Sequence, residues 1–212
     1  MHSPLTSHLK IAFKILRYLK SCPCLGVHVT KTSGMLLTAY SDVDCAKCIV
    51  TRKFVTGYCM FLNNSLVSWK SKKQNTLFNS STEAEYRALA SVTSEVIWIL
   101  KFLKDLQIEN LLPVSLHCDS NSAIKIAANP FFHERTKHLE IDLHFVRDKV
   151  LKGVVKTVKV DSTNQIADIL TKGLDTVQHL KLVKKTCLVR SFLLKMDIGE
   201  SLRSVAAKFE KF

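Results

Sequence analysis

Acidic side chains stand at the ends of several segments that have the patterns of strands and helices. Asp42 and Asp119 each end a predicted strand, and Asp168 lies on a predicted helix late in the chain. Glu83 and Glu85 lie two residues apart at the start of the longest helical pattern, so they point to different sides of that helix. One of the two can face solvent while the other faces whatever the helix packs against. If such acids meet, their carboxylates repel one another and their pKa values rise unless cations compensate.

Divalent cations are the chemical partners that a group of carboxylates favours. Mg²⁺ prefers oxygen ligands, and Mn²⁺ is the alternative. Two such ions about 3.5–4 Å apart can align a water molecule and stabilise the leaving oxygen of a phosphodiester. Each acid taken singly is also typical of a turn, a helix cap or a surface charge. It is their joint placement that favours metal-dependent hydrolysis, and no nucleophilic triad, Gly-rich phosphate loop or zinc cluster suggests another chemistry.

Five strands are predicted around these acids from the apolar pattern and the turn residues between them. They are Met35–Asp42, Phe54–Leu62, Ser65–Lys70, Val114–Asp119 and Val154–Val160. Short turns join the first three, which predicts antiparallel pairing, whereas the strand–helix–strand order of the others predicts parallel pairing through right-handed crossovers. The predicted fold class is therefore α/β, a five-stranded mixed sheet with helices on both faces. Acids at the ends of neighbouring strands mark the usual place for a site in such sheets.

Helices are predicted where apolar residues recur at a spacing of three or four. The longest begins with a cap at Ser80, Ser81 or Thr82 and runs to about Leu106. Others are predicted at Ser120–Ala128, Glu134–Leu151 and Thr163–Lys172, with a basic amphipathic helix within residues 2–21.

Positive charge is in large excess in this chain of 212 residues. Lys and Arg number 31 against 18 acids, which gives a formal charge of +13 and a pI near 9.5. This balance favours a polyanionic partner, nucleic acid first and an acidic membrane surface second. One cluster, Lys70-Ser-Lys-Lys73, follows Trp69 directly. It is either the solvated end of a hairpin or a contact for nucleic-acid phosphates.

The remaining composition predicts an intracellular protein, cytoplasmic or nuclear, without a membrane partner. No run approaches 18 apolar residues, and the N-terminus lacks the charged, apolar and small-residue order of a signal peptide. Seven cysteines, an odd number without regular spacing, do not suggest a disulfide framework. We expect structural thiols rather than metal ligands or redox groups.

Six segments in fixed order carry a resemblance to a known family. They are Tyr40-Ser-Asp-Val-Asp44, Ser68-Trp-Lys-Ser-Lys-Lys-Gln74, Ser81-Thr-Glu-Ala-Glu-Tyr-Arg-Ala-Leu89, Cys118-Asp-Ser-Asn-Ser-Ala-Ile124, Asn129-Pro-Phe-Phe-His-Glu-Arg-Thr-Lys-His138 and Ala167-Asp-Ile-Leu-Thr-Lys172. Together they resemble the ribonuclease H domain of copia-type LTR retrotransposon Pol polyproteins, over about residues 36–174. The segment Ala12-Phe-Lys-Ile-Leu-Arg-Tyr-Leu-Lys20 resembles the end of the reverse transcriptase part of the same polyproteins.

This resemblance implies an RNase H-like fold and cleavage of the RNA strand of RNA–DNA hybrids by two Mg²⁺ ions. By motif position it implies that the catalytic and metal-binding acids are Asp42, Glu85, Asp119 and Asp168. Asp42 is favoured over Asp44, and Glu85 over Glu83, on the same ground. The nucleic-acid contacts that we expect are Lys70, Lys72, Lys73, Asn121, Arg135 and Lys137. Recognition would depend on backbone shape and 2′-hydroxyls, with little base preference.

Two departures from the family pattern leave an alternative open. Cys45-Ala-Lys47 stands where the family usually has Trp-Ala-Gly, and Asp161–Gln165 stands where many cellular ribonucleases H carry a histidine loop. An inactive remnant that folds and binds nucleic acid is therefore the second hypothesis, and a module that only binds is the third. The expected organisation is a reverse transcriptase remnant at 1–32, an RNase H-like domain at 33–174 and a basic, weakly helical extension at 175–212.

Overall fold

The computed structural model describes residue 3 and residues 5–22, 25–29, 34–44, 53–75, 80–128, 137–186 and 188–190, the backbone alone being described at 137–139 and 188–190. In chain order the helices and strands are α1 (Thr6–Ser21), β1 (Leu25–Val27), β2 (Leu37–Asp44), β3 (Val55–Leu62), β4 (Ser65–Lys73), α2 (Ser81–Asp105), β5 (Val114–Cys118), α3 (Asn121–Ala128), α4 (Lys137–Leu151), β6 (Val155–Lys159), α5 (Asp168–Thr171), α6 (Thr176–Lys185) and β7 (Leu188–Arg190). The chain divides into two compact units, residues 29–187 and residues 1–28 with 188–212.

The larger unit is built on a mixed sheet in the spatial order β4–β3–β2–β5–β6. β3 pairs antiparallel with β2 and with β4, whereas β5 runs parallel to β2 and to β6. The two antiparallel and the two parallel pairings are those that the sequence indicates. The sheet confirms the predicted α/β fold class, a five-stranded mixed sheet with antiparallel and parallel strands.

The turn between β3 and β4 depends on an asparagine. Asn63 has φ 55°, in the left-handed region that asparagine tolerates better than most residues. Its Oδ1 accepts a hydrogen bond from the Leu36 amide at 2.8 Å, and its side-chain amide donates to the Gly34 carbonyl at 2.9 Å. The turn is thereby tied to the segment that leads into β2.

Helix α2 covers one face of the sheet. Its first turn is capped by Ser80, whose hydroxyl accepts a hydrogen bond from the Glu83 amide at 3.1 Å. The side chains of Val92 and Val96 belong to a buried cluster with residues from β2, β3 and β5. A second cluster joins α2 to α3 and α4; its largest member is Tyr86, whose hydroxyl donates to the Leu143 carbonyl at 3.3 Å.

The opposite face of the sheet is covered by the segment that leads into α5. Cys59 and Phe61 of β3 and Leu66 of β4 pack with Ile166 and Ala167, all of them buried. Helical segments therefore lie on both faces, as predicted.

Three boundaries differ from the predictions. β2 continues two residues beyond Asp42, because Val43 and Asp44 keep their pairing with β3. Lys70–Lys73 is part of β4 rather than a hairpin end, because its residues pair with β3 up to Val55. The helix predicted at Thr163–Lys172 is instead two pieces, a 3₁₀ turn at Ser162–Asn164 and α5. Gln165 lies between them, fully buried, and its side chain donates a hydrogen bond to a strand rather than pointing away from a continuous helix.

The smaller unit contains the predicted basic helix. α1 has no buried residue, and β1 pairs antiparallel with β7, which places Leu25 opposite Arg190. This pairing was not predicted, because strands of three residues are too short to show a period. Among the described helices, none is both long enough and apolar enough to span a membrane. Within the predicted extension at 175–212, Thr176–Lys185 forms α6, and residues 191–212 lie outside the described part of the chain.

Candidate active site: a cluster of four carboxylates

Asp42 is an acid buried inside the sheet layer rather than at its rim. The residue is 1% exposed, and β2 continues past it on the strand that forms the centre of the sheet. Its Oδ1 lies 3.1 Å from Nζ of Lys172, and its Oδ2 accepts a hydrogen bond from the hydroxyl of Thr171. Both partners come from the end of α5, so this short helix supplies the groups that meet the charge.

A glycine permits α5 to approach so closely. Gly57 of β3 lies opposite Asp42 in the strand register. A Cβ at this position would lie 2.7 Å from Cγ2 of Thr171 and 2.9 Å from Cβ of Leu170, closer than side chains pack. The absence of a side chain at Gly57 therefore sets how near α5 comes to Asp42.

Asp168 enters the cluster from the first residue of α5. It is buried, and its Oδ1 lies 2.8 Å from Nζ of Lys172, one helical turn further on. Burial is the largest cause of a raised pKa for its carboxyl group, and the charge of Asp42 adds to the rise while Lys172 opposes it. The ammonium of Lys172 thus bridges Asp42 and Asp168.

Gln165 holds the turn that delivers Asp168. Its side-chain amide donates to the Ser41 carbonyl on β2 at 2.9 Å, and its Oε1 accepts from the Ala167 amide at 3.3 Å. Since Ser41 precedes Asp42, this fully buried side chain fixes the distance between the strand and α5. The sequence shows no signal for this role, because Gln165 reads as one polar residue in a helical pattern.

Glu85 reaches the cluster from the start of α2. Its Oε2 is buried and has no hydrogen-bond partner among the described residues. Burial raises the pKa of Glu85 to about 8, and the charges of Asp42, Asp119 and Asp168 contribute to the rise while Lys172 counteracts it. The cluster thus surrounds this glutamate with like charge. Glu83, the alternative in the sequence, is the acid of the first helical turn, at the capped end.

Asp119 directly follows β5, as the sequence indicates. Its Oδ1 is buried and, in the described part of the chain, lacks a hydrogen-bond partner, while its main-chain carbonyl accepts from Lys159. Ligand atoms of Glu85, Cys118 and Asp119 all lie within 4.8 Å of one another. Burial is the main cause that raises the pKa of the Cys118 thiol to about 12, so at neutral pH it is a neutral neighbour of the two carboxylates.

The four acids therefore lie in one cluster, as their joint placement in the sequence predicts. In the described part of the chain, Lys172 forms ion pairs with two of them, Asp42 and Asp168. Buried carboxylate oxygens without a partner, on Glu85 and Asp119, are hard ligands of the kind that Mg²⁺ and Mn²⁺ prefer. The donor set fits a divalent cation. Lys172 and Thr171 were not singled out from the sequence, although Lys172 stands four residues after Asp168, the spacing of a helical ion pair.

Comparison with known proteins identifies the chain. The Retrovirus-related Pol polyprotein from transposon RE1 of Arabidopsis thaliana is 40% identical over 190 residues, which are 90% of this chain and 13% of that polyprotein. The corresponding polyprotein from transposon TNT 1-94 of Nicotiana tabacum is 36% identical over 176 residues, 81% of this chain and again 13% of the relative. The chain belongs to the retrovirus-related Pol polyproteins of copia-type transposons. It spans about 13% of the length of these relatives.

Two further comparisons concern family models and solved structures. A search with protein-family models gives no match for this chain. The N-terminal RNase H domain of Rv2228c from Mycobacterium tuberculosis superposes with a TM-score of 0.45 and 11% identity, over 71% of this chain and 98% of that one.

A polar groove of about 610 Å³ in the Pol-family chain holds two of the predicted nucleic-acid contacts. Lys70 and Lys72 of β4 line it together with Arg87 of α2. Gly57 of β3, which pairs with Asp42, also lines the groove. The side chain of Arg87 also lies 3.6 Å from the carboxylate of Asp142. The groove also contains the acids Glu95 and Asp142, so its two exposed lysines on β4 are the cations that it offers beyond the Arg87–Asp142 pair.

Of the other four predicted contacts, the structure describes the side chains of two. Lys73 is exposed at the end of β4, and Asn121 is exposed at the first residue of α3, whose N-terminus is capped by the Ser120 hydroxyl. Arg135 lies outside the described residues, as does the side chain of Lys137. Cys45 and Lys47, the departures from the family pattern, also lie outside them.

Proposed function

We propose that this chain is the ribonuclease H part of a retrotransposon Pol polyprotein, an endonuclease that hydrolyses the RNA strand of RNA–DNA hybrids with two Mg²⁺ ions. The observation that carries the proposal is the gathering of Asp42, Glu85, Asp119 and Asp168 into one cluster, in which Asp42 and Asp168 are buried and the other two are half-buried. Two of their oxygens, on Glu85 and Asp119, have no partner among the described residues. Buried charged oxygens are costly unless a cation meets them.

In this proposal the four carboxylates hold the ions, with Mn²⁺ as an alternative to Mg²⁺. When bound, the ions supply the positive charge that activates water and stabilises the leaving oxygen of a phosphodiester. The chain itself contributes rigid placement: Asp42 from the central strand, Glu85 from a capped helix, and Asp168 from a turn fixed by Gln165. Groups held in advance in this way lose little entropy when the substrate arrives.

The lysines of the groove give the proposed enzyme a surface for the hybrid. Lys70 and Lys72 lie in it with exposed side chains, so their ammonium groups are available for phosphates. Such contacts position a duplex without reading its sequence. The cleaved strand would be chosen by its 2′-hydroxyls and by the A-like shape of a hybrid. We therefore expect little dependence on base sequence.

The alternative is a catalytically inactive remnant that keeps the fold and binds nucleic acid. Cys45-Ala-Lys47, which replaces the family's usual Trp-Ala-Gly beside the first acid, favours it. All four acids are present, which favours the active enzyme.

One cleavage assay separates the two. The purified chain receives an end-labelled RNA–DNA hybrid with Mg²⁺ or Mn²⁺, beside the variants Asp119→Asn and Asp105→Asn, the second being an exposed acid on α2. The proposal expects wild type and Asp105→Asn to cut the RNA strand to 3′-hydroxyl and 5′-phosphate ends, and Asp119→Asn to bind without cutting. Equal binding by all three with no cleavage in either metal would establish the remnant instead. Free RNA and double-stranded DNA serve as substrates that should survive.

A further inference from the structure

We infer that Lys172 is a resident counter-cation of the acid cluster, and that it makes the Asp42–Asp168 half a weaker site for divalent cations than the Glu85–Asp119 half. The inference rests on the proposed metal-dependent function and concerns the order in which two ions can bind. It uses two residues of the Ala167-Asp-Ile-Leu-Thr-Lys172 segment, Thr171 and Lys172, to which the proposed chemistry assigns no role.

The first half of the cluster already has positive partners. Nζ of Lys172 lies 3.1 Å from Asp42 and 2.8 Å from Asp168, and the Thr171 hydroxyl donates to the second oxygen of Asp42. The two aspartate side chains are 1% and 8% exposed, so little water competes for these contacts. The ammonium group of Lys172 therefore already compensates part of the negative charge that would attract a divalent cation to these two carboxylates.

The second half has no such partner. Glu85 Oε2 and Asp119 Oδ1 are buried and accept no hydrogen bond from any described residue. Lys159 donates to the main-chain carbonyl of Asp119 and not to its carboxylate. A cation that binds here displaces no protein group, and it gains the full attraction of two carboxylates.

The consequence is an unequal pair of sites. Binding at Glu85 and Asp119 comes first, because it costs no existing contact. A second cation near Asp42 and Asp168 has to displace the ammonium of Lys172, whose side chain is 23% exposed and can leave along that open side. The first ion also repels Lys172, so its binding assists the displacement.

Metal binding measured by titration calorimetry tests this directly. Mn²⁺ and Mg²⁺ are titrated into wild type, Lys172→Met and Lys101→Met. Lys101 is an exposed control on α2, sixteen residues beyond Glu85 and about 24 Å along the helix. We expect wild type to show one stronger and one weaker site. Lys172→Met should lower the dissociation constant of the weaker site at least tenfold, while Lys101→Met changes neither.

Thermal unfolding without metal gives a readout that does not depend on catalysis. In EDTA, Lys172→Met leaves two buried aspartates without their cation, so its Tm should fall well below that of Lys101→Met. Added Mg²⁺ should raise the Tm of Lys172→Met by more than it raises that of wild type. If Lys172→Met does not fold in EDTA, recovery of folding in Mg²⁺ supports the inference. If Lys172→Met folds in neither condition, the same measurements are made on Lys172→Gln, which keeps a hydrogen-bond donor but removes the charge.

The results separate this inference from the proposed function. Metal binding with the same two constants in wild type, Lys172→Met and Lys101→Met would overturn the role of Lys172 and leave the metal site in place. Equal Tm values for the two lysine variants in EDTA would also overturn it. No metal binding in any variant would remove the proposed function, and the inference with it.

Discussion

Gly57 and Asp42 face each other across the β2–β3 pair, and the space above the glycine is filled by Thr171. The same threonine donates its hydroxyl to Asp42. One residue without a side chain thus decides whether α5, with its acid and its lysine, can reach the acid on the central strand.

Replacement of Gly57 by alanine should therefore damage the site as well as the packing. The new methyl group would lie 2.7 Å from Thr171 and 2.9 Å from Leu170, so α5 must move outward. Overpacking of this kind costs about 1–3 kcal/mol of unfolding free energy, which denaturant titration would measure. We expect hybrid cleavage to fall at least tenfold. Gly26→Ala is the matched control, because a Cβ there meets no atom of the described residues within 4 Å. A Gly57→Ala variant as stable as Gly26→Ala would contradict the packing argument.

Neighbouring acids provide matched pairs for the assignment of the site. Glu85→Gln and Asp42→Asn should each reduce cleavage at least 100-fold, because each removes charge from the acid cluster. Glu83→Gln and Asp44→Asn change the same residue types two positions away, and should stay within about threefold of wild type in single-turnover cleavage assays. If Glu83→Gln is the inactive member of its pair, the glutamate assignment is wrong.

The stability of the metal-free chain should depend on pH through Glu85. Its pKa is raised from 4.5 to about 8 in the folded chain. Between these values the folded chain holds a proton that the unfolded chain has lost, so stability is highest near pH 5 and falls as the pH rises to about 8. The raised pKa of Asp168 acts in the same direction.

We expect a loss of roughly 2–4 kcal/mol across this range in EDTA, measured by urea unfolding at several pH values. Glu85→Gln should remove most of the slope. Glu109→Gln, an exposed glutamate after α2, should keep it. A wild-type stability that is flat from pH 5 to pH 8 would show that Glu85 ionises as it does in the unfolded chain.

Hybrid binding should depend on salt through the lysines of the groove. Each phosphate contact contributes about one to the slope of log affinity against log salt concentration. The double variant Lys70→Ala/Lys72→Ala should therefore lower that slope by about two in fluorescence-anisotropy titrations. Lys101→Ala/Lys104→Ala removes two exposed lysines from α2 and should leave the slope unchanged. Equal slopes for the two variants would place the hybrid on another surface.

Much of the fold could be predicted because its signals are local. The turn residue Asn63, the cap before α2 and the acids after apolar runs each reflect a few neighbouring residues, and so the five strands and their pairing follow. The predicted meeting of Asp42 with Asp119 uses only the rule that neighbouring strands end at a common edge.

The details of the site depend on contacts between residues far apart in the sequence. Gln165 breaks the predicted last helix because its side chain reaches the Ser41 carbonyl, 124 positions earlier. Gly57 looks like any glycine in a strand until α5 lies over it. Lys172 reads as one more basic residue of a basic chain, and only the fold places it between two aspartates.

The lysine that neutralises Asp42 stands 130 positions after it, near the end of the larger unit. During synthesis on the ribosome, the central strand with its acid is made long before that lysine emerges. Until then, closing the sheet would bury Asp42 without its cation, so the nascent chain has an electrostatic reason to delay that step. The cation that neutralises the buried aspartate is thus made only after all five strands of the sheet, together with the end of α5.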